Sequence, residues 1–303
     1  MRIGVAATPQ VAIPTLDWLL TTSHELAMVI TQPDRPAGRG RDLTESPVSA
    51  WATSHGITCI KPLAPSELAH VVNDLDLVLT IGYGVILPEE ILQLPRFGFL
   101  NLHFSLLPAY RGAAPVQRAL ENGEVTSGLT VFQLDKGMDT GPLFTQIPVG
   151  IEPTWRSFEM LEHLARMGPE AFAHTLVKIE QGIKPEPQRG SASIAPKISK
   201  EQAKIVWSDS AQAVINRIRA FYPAPCAWST WKENPIKITQ ASMAQIDLEL
   251  KPGQIHCQES KVFVGAALNG VIELGSVIPA GKSEMPAADW ARGAHLLGGE
   301  NFG

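Results

Sequence analysis

At 303 residues, 45% of them hydrophobic, the chain can bury one large core and a second, smaller one, so two domains are expected. No apolar run approaches the roughly 20 residues a membrane-crossing helix needs, and Met1-Arg2 leads straight into the strand-like Ile3-Gly4-Val5-Ala6, with no signal, anchor or transit pattern. The net charge of −5 does not advertise a nucleic-acid binder, but it is unevenly spread: residues 1–188 carry 13 basic and 20 acidic side chains, residues 189–303 carry 12 and 10.

The first 150 residues alternate short β-branched runs with amphipathic segments. Strands are predicted at 2–7 and 25–31, with an apolar-periodic helix at 11–21 between them. The alternation continues through 47–55, 58–60, 66–73 and 75–81. The last of these is an apolar run suited to a strand covered on both faces. A strand at 98–103 falls near the sheet centre, Pro115 opens a helix running past Ala119 to Glu121, and 129–134 reads as one more strand. A helix from about 156 to 183 closes a first domain, predicted as 1–188. This is the pattern of an α/β fold with a doubly wound, mostly parallel sheet of Rossmann-like type. Gly182, Pro185, Pro187, Gly190 and Pro196 mark a linker composition, placed at 189–204. From 205 to 303 come a helix at 210–221 and short strands at 228–231, 236–243, 253–257, 261–265 and 271–277, the spacing of a small β-barrel. Cys59, Cys226 and Cys257 have neither CxxC spacing nor histidine pairs beside them. That predicts reduced cysteines, a cytoplasmic location and no metal.

The segment richest in chemistry is Asn101-Leu102-His103-Phe104-Ser105-Leu106-Leu107-Pro108. Asn101 and His103 are two apart on a strand, so they project side by side, at the carboxyl end where open α/β sheets bind ligands. Further on, Gly137-Met138-Asp139-Thr140-Gly141 can present one carboxylate on a bent backbone. An amide, an imidazole and a carboxylate suit attack of an amine on a carbonyl. Donors stabilise the charge that develops on oxygen, and a base takes the amine proton. Asp139 is placed to orient His103 and favour its charged form. Each residue also has a plain structural reading, since a histidine at a strand end is commonly a hydrogen-bonded core residue and an aspartate between glycines commonly makes an Asx-turn.

The stretch from Asn101 through Tyr110-Arg111-Gly112-Ala113-Ala114-Pro115 to Arg118, with the Gly137–Gly141 turn, resembles the signature of the methionyl-tRNA formyltransferases. The resemblance implies that Asn101, His103 and Asp139 are catalytic and that Ser105, Leu106, Leu107 and Pro108 contact the folate. It also implies that Tyr83-Gly84-Val85-Ile86-Leu87-Pro88 borders the pterin pocket. The formyl donor is then 10-formyltetrahydrofolate and the acceptor charged initiator methionyl-tRNA.

Both blocks are shared in outline by other folate-dependent formyltransferases, so the acceptor rests on two other stretches. Thr31-Gln32-Pro33-Asp34-Arg35-Pro36-Ala37-Gly38-Arg39-Gly40-Arg41 is similar to the loop that enters the tRNA acceptor end, which implies Arg35, Arg39 and Arg41 as tRNA contacts. Arginines on a Gly/Pro frame can reach phosphates and stack on bases. Ile198 to Trp207 and Ile218 to Pro223 resemble the family's C-terminal OB-like domain. The chain departs from the family pattern at Ala7, Asp42 and Ala109, and at Trp155-Arg156-Ser157, where acidic residues are usual before the last helix. Three alternatives are weighed against this reading. A dinucleotide oxidoreductase needs G-x-G-x-x-G after the first strand, where this chain has Ala6-Ala7-Thr8-Pro9. A formyltransferase for a small amine, or a formate-releasing hydrolase, would not need the arginine loop and second domain. A tRNA-binding protein without catalysis would not need the Asn–His–Asp set. A monomer is expected, because each domain has its own core.

Overall fold

Every residue of β1 (Arg2–Ala7) after the first is buried, because this strand lies inside a sheet covered on both faces. The computed structural model describes residues 1–37, 42–296 and 298–303. From β1 the chain passes through a 3-10 turn into α1 (Ile13–Leu19) and then β2 (Glu25–Ile30). A small hairpin follows, β3 (Arg35–Ala37) with β4 (Asp42–Thr44), then α2 (Pro47–His55) and β5 (Cys59–Ile60). Next come α3 (Ala69–Val72), β6 (Leu77–Ile81), α4 (Glu89–Leu92), β7 (Phe99–His103) and α5 (Pro115–Glu121). β8 (Thr126–Gln133), β9 (Leu143–Gly150) and α6 (Ser157–Glu180) complete this part. Local chemistry sets several boundaries. The Ser46 hydroxyl accepts from the Ser49 amide at 3.0 Å to cap α2, Pro47 occupies its first turn, and Gly56 ends it in the left-handed region.

The seven strands run in the order β5-β2-β1-β6-β7-β8-β9. The first five are parallel, and β8 and β9 join antiparallel. β9 was not anticipated from sequence, because an edge strand with one half-open face and an internal Pro148 lacks the apolar run of a central one. The chain leaves β1 toward β2 and β5, then returns on its other side through β6 and β7. Strand order therefore reverses between β1 and β6, and the crevice beyond their carboxyl ends is where such sheets take ligands.

The chain folds as two compact units. The first comprises residues 1–115, 126–150 and 161–195, the second 116–125, 151–160 and 196–303. In the second, α7 (Ala211–Phe221) is capped by Ser210. It packs with a six-stranded antiparallel sheet made of β10 (Trp228–Trp231), β11 (Asn234–Met243), β12 (Ile255–Gln258), β13 (Lys261–Gly265), β14 (Val271–Pro279) and β15 (Met285–Pro286). Ile218, Ile238, Ile255, Val264, Ile272 and Val277 form its fully buried centre. A short helix absent from the sequence reading, α8 (Ala287–Gly293), lays Trp290 on Phe302 with ring centroids 5.7 Å apart. Arg156, one of the departures from the family pattern, has a structural role in this unit. Its guanidinium lies 3.6 Å from the centroid of the Tyr222 ring and its Nε donates to Glu159 Oε1 at 3.0 Å. Among the described residues no helix is long and apolar enough to cross a membrane, and no group of His, Cys, Asp and Glu side chains is assembled to hold a metal.

Candidate active site

Thr80 is the one polar residue of β6, and it is buried. In register it lies beside Asn101 on β7, and its hydroxyl proton is shared between Asn101 Oδ1 at 2.9 Å and the Leu100 carbonyl at 3.1 Å. An amide whose oxygen is so occupied has its Nδ2 hydrogens left to offer the adjacent cavity. That cavity, ≈ 670 Å³, lies beyond the carboxyl ends of β6 and β7, on the β6 side of the strand-order reversal. It is lined by Thr80, residues 82–87, Leu92, residues 101–104, 112 and 113, Pro115 and residues 134–139. The size suits a small-molecule site.

His103 reaches the same cavity from two residues along β7 and is 5% exposed. Its Nε2 lies 2.8 Å from the Tyr110 carbonyl oxygen. A carbonyl can only accept, so Nε2 carries the proton, and in the neutral ring Nδ1 bears a lone pair. Nδ1 is 3.6 Å from Asp139 Oδ2. Asp139 and the Tyr110 carbonyl both favour a charged ring, but burial outweighs them and lowers the His103 pKa. The expectation that Asp139 favours the charged form of His103 holds for that pair, and burial sets the net direction against it. At neutral pH this is a neutral ring facing a carboxylate, not a formed ion pair.

The Asp139 turn is held by its neighbours. Asp139 sits in the left-handed region at φ 54, a conformation aspartate tolerates better than most residues. A Cβ on Gly141 would come 1.8 Å from the Gln133 carbonyl oxygen, so the glycine there is required. The Gly112 amide donates to Asp139 Oδ2 at 2.7 Å. Gly112 itself, at φ 121, would drive a Cβ to 2.8 Å from the Ala195 carbonyl oxygen.

That last contact belongs to a stretch whose composition suggests a linker. Residues 186–195 instead run hydrogen-bonded along the first unit. Glu186 pairs with Leu143 in both directions at 2.7 and 2.9 Å, Arg111 N donates to Ser193 O at 2.9 Å, and Ala195 N donates to Arg111 O at 2.6 Å. Thr80, the Tyr110 carbonyl and Gln188 are the site-building groups the sequence reading missed. Only Thr80 left a signal there, as a single hydroxyl in an apolar strand.

The remaining anticipated residues are placed as follows. Ser105, Leu106, Leu107 and Pro108 are not among those lining this cavity. Ser105 Oγ donates to Ala109 O at 2.6 Å, and the Leu107 carbonyl accepts from Gln146 Nε2 at 2.8 Å. Leu107 instead lines a separate cavity of ≈ 290 Å³. Tyr83 is buried in the main cavity wall while Ile86 stands exposed there. Arg35 is exposed on the β3–β4 hairpin, paired in register with Thr44. Arg39 and Arg41 lie outside the described residues.

Comparison with known proteins gives this geometry a setting. Residues 1–176 match the formyl transferase family model and residues 197–295 the formyl transferase C-terminal domain model. The chain is 43% identical over 308 residues to the methionyl-tRNA formyltransferase of Salinispora tropica, covering 99% of both chains. Among solved structures it resembles a methionyl-tRNA formyltransferase from Clostridium thermocellum with a TM-score of 0.59 and 18% identity, over 80% of this chain and 94% of that one. An N-formyltransferase from Helicobacter canadensis, solved with folinic acid and dTDP-3-aminofucose, aligns with a TM-score of 0.70 and 18% identity, over 90% of this chain and 98% of that one. At such identities these two structures speak for the fold alone. With the full-length match at 43% identity and both domain models in order, the chain belongs to the methionyl-tRNA formyltransferase family.

Proposed function

We propose that Asn101, His103 and Asp139 carry the chain's reaction, the transfer of a formyl group from 10-formyltetrahydrofolate to the amino group of methionine on charged initiator tRNA. The observation that carries the assignment is the meeting of three groups in one cavity: an amide donor oriented by Thr80, a buried neutral imidazole, and a carboxylate held by the Gly112 amide.

The cavity's apolar wall at Tyr83, Val85, Leu87 and Leu92 suits a flat aromatic ring system, with the polar groups gathered beside it. The folate supplies the activated formyl group, and the chain's own residues do the rest. Asn101 Nδ2 donates to the formyl oxygen as negative charge develops there. His103, whose Nε2 proton is already given to Tyr110, takes the amine proton at Nδ1. Asp139 then faces a charged ring and stabilises it. As the bond from the formyl carbon to the methionyl nitrogen forms and that to the folate nitrogen breaks, the same Nδ1 proton is available to the departing nitrogen. His103 supports the oxyanion only once Nδ1 is protonated.

Residues 105–108 order the loop after β7 and are assigned the folate contacts expected of that motif. Arg35, Arg39 and Arg41 are assigned the acceptor end of the tRNA, and residues 205–303 further tRNA contact, with 1–188 and the hydrogen-bonded stretch up to Ala195 as the catalytic domain and the residues from 196 to 204 joining the two. The chain acts as a monomer in the cytoplasm, where its three cysteines stay reduced.

Formyl transfer to charged methionyl-tRNA, run beside free methionine and uncharged tRNA, tests the reaction. Asp139→Asn tests the assignment. It should lower kcat by about 100-fold or more, within the range a general acid–base group contributes, while folate binding stays near wild type. Unchanged turnover in Asp139→Asn removes the three residues from the chemistry.

A further inference from the structure

Gln188 lies in the Pro/Gly-rich stretch between the last helix of the first unit and the second unit, and neither the motif nor the mechanism uses it. Its side chain nonetheless has both ends engaged at the site. Nε2 donates to the Asp139 carbonyl at 2.8 Å and to the Gly141 carbonyl at 2.8 Å. Oε1 accepts from Arg111 Nε at 3.2 Å and Nη2 at 2.6 Å. One amide thus ties the turn bearing the carboxylate to the segment whose next residue, Gly112, donates to that carboxylate.

From this geometry we infer that Gln188 is a positioning residue for formyl transfer, setting where the Asp139 carboxylate stands relative to His103. Among natural side chains only glutamine offers this reach with donors on one side and an acceptor on the other. Asp139, in the left-handed region, is not held by its own backbone preference. The strand-like pairing of residues 193–195 with Arg111 anchors the stretch from which Gln188 reaches. Bonds that fix a reacting group's supports are felt in the chemical step, because a misplacement of about 1 Å can cost about 100-fold in rate. The inference rests on the assignment of Asp139 above.

The test is a pair of variants in the full-length chain, assayed for formyl transfer with both substrates varied. Gln188→Glu keeps the acceptor for Arg111 and removes both donors to the turn. Gln188→Met keeps the length and removes every hydrogen bond. The expected result is a fall in kcat of about tenfold to 100-fold in both, with each KM within about threefold of wild type and thermal unfolding unmoved. A kcat at the wild-type level overturns the inference, as does a rise in KM with kcat intact, which would make Gln188 a binding residue. Unfolding of both variants also overturns it, since the role is then structural. Asp139→Asn separates the two claims. If it is inactive while Gln188→Glu turns over normally, only the positioning role falls; if Asp139→Asn is active, the site assignment falls and this inference with it.

Discussion

The Thr80 hydroxyl stands between two acceptors, Asn101 Oδ1 at 2.9 Å and the Leu100 carbonyl at 3.1 Å, and its one proton, shared between them, holds the Asn101 amide oxygen toward β6. Removing an oxyanion donor outright costs about 100- to 1,000-fold in kcat. Thr80→Val keeps the volume and the β-branch but lets the amide turn over. It is expected to lower kcat by about tenfold, short of the full loss, with the folate KM little changed. Steady-state kinetics check this, and a wild-type kcat would show that Asn101 is oriented by something else.

A second prediction concerns pH. Burial holds the His103 pKa below its ordinary value of 6.5, so the folded chain binds fewer protons than the unfolded one between the two values. Stability from this residue is then complete above pH ~6.5 and is lost as the pH falls toward the folded pKa. The folded ring takes up that proton only near its own, lower pKa, so kcat holds through the upper part of the window and falls at its lower end. In the wild type, thermal stability should begin to decline as the pH drops below ~6.5, with kcat falling only at lower pH as the folded ring titrates. His103→Gln should lose turnover and show a flatter stability profile there. A His103→Gln profile as steep as wild type would assign the acid sensitivity to another group.

The third prediction concerns the arginine loop. Arg35 is exposed on a two-stranded hairpin, where its charge is open to a phosphate. Arg35→Ala should raise the KM for methionyl-tRNA with kcat nearly intact and lower the slope of log affinity against log salt by about one. Binding measured at several salt concentrations checks it, and an unchanged slope takes Arg35 out of the tRNA contact.

Local sequence determined a good deal about this chain. The apolar run at residues 77–81 and the cap-and-proline pattern at Ser46-Pro47 specify a buried strand and a helix start through nearest-neighbour chemistry alone. Strand periodicity also placed Asn101 and His103 on one face, and the glycines around Asp139 announced a tight turn. The tertiary structure decided what no local pattern encodes. It set Thr80 beside Asn101 through strand register, and it gave His103 a carbonyl partner at Tyr110. It also let burial override a carboxylate in setting that ring's charge. It drew the linker-like residues 186–195 against Arg111, so that Gln188 spans two segments far from it in sequence. Propensity and periodicity act over a few residues, whereas register, desolvation and long-range hydrogen bonds exist only after distant segments have been packed together.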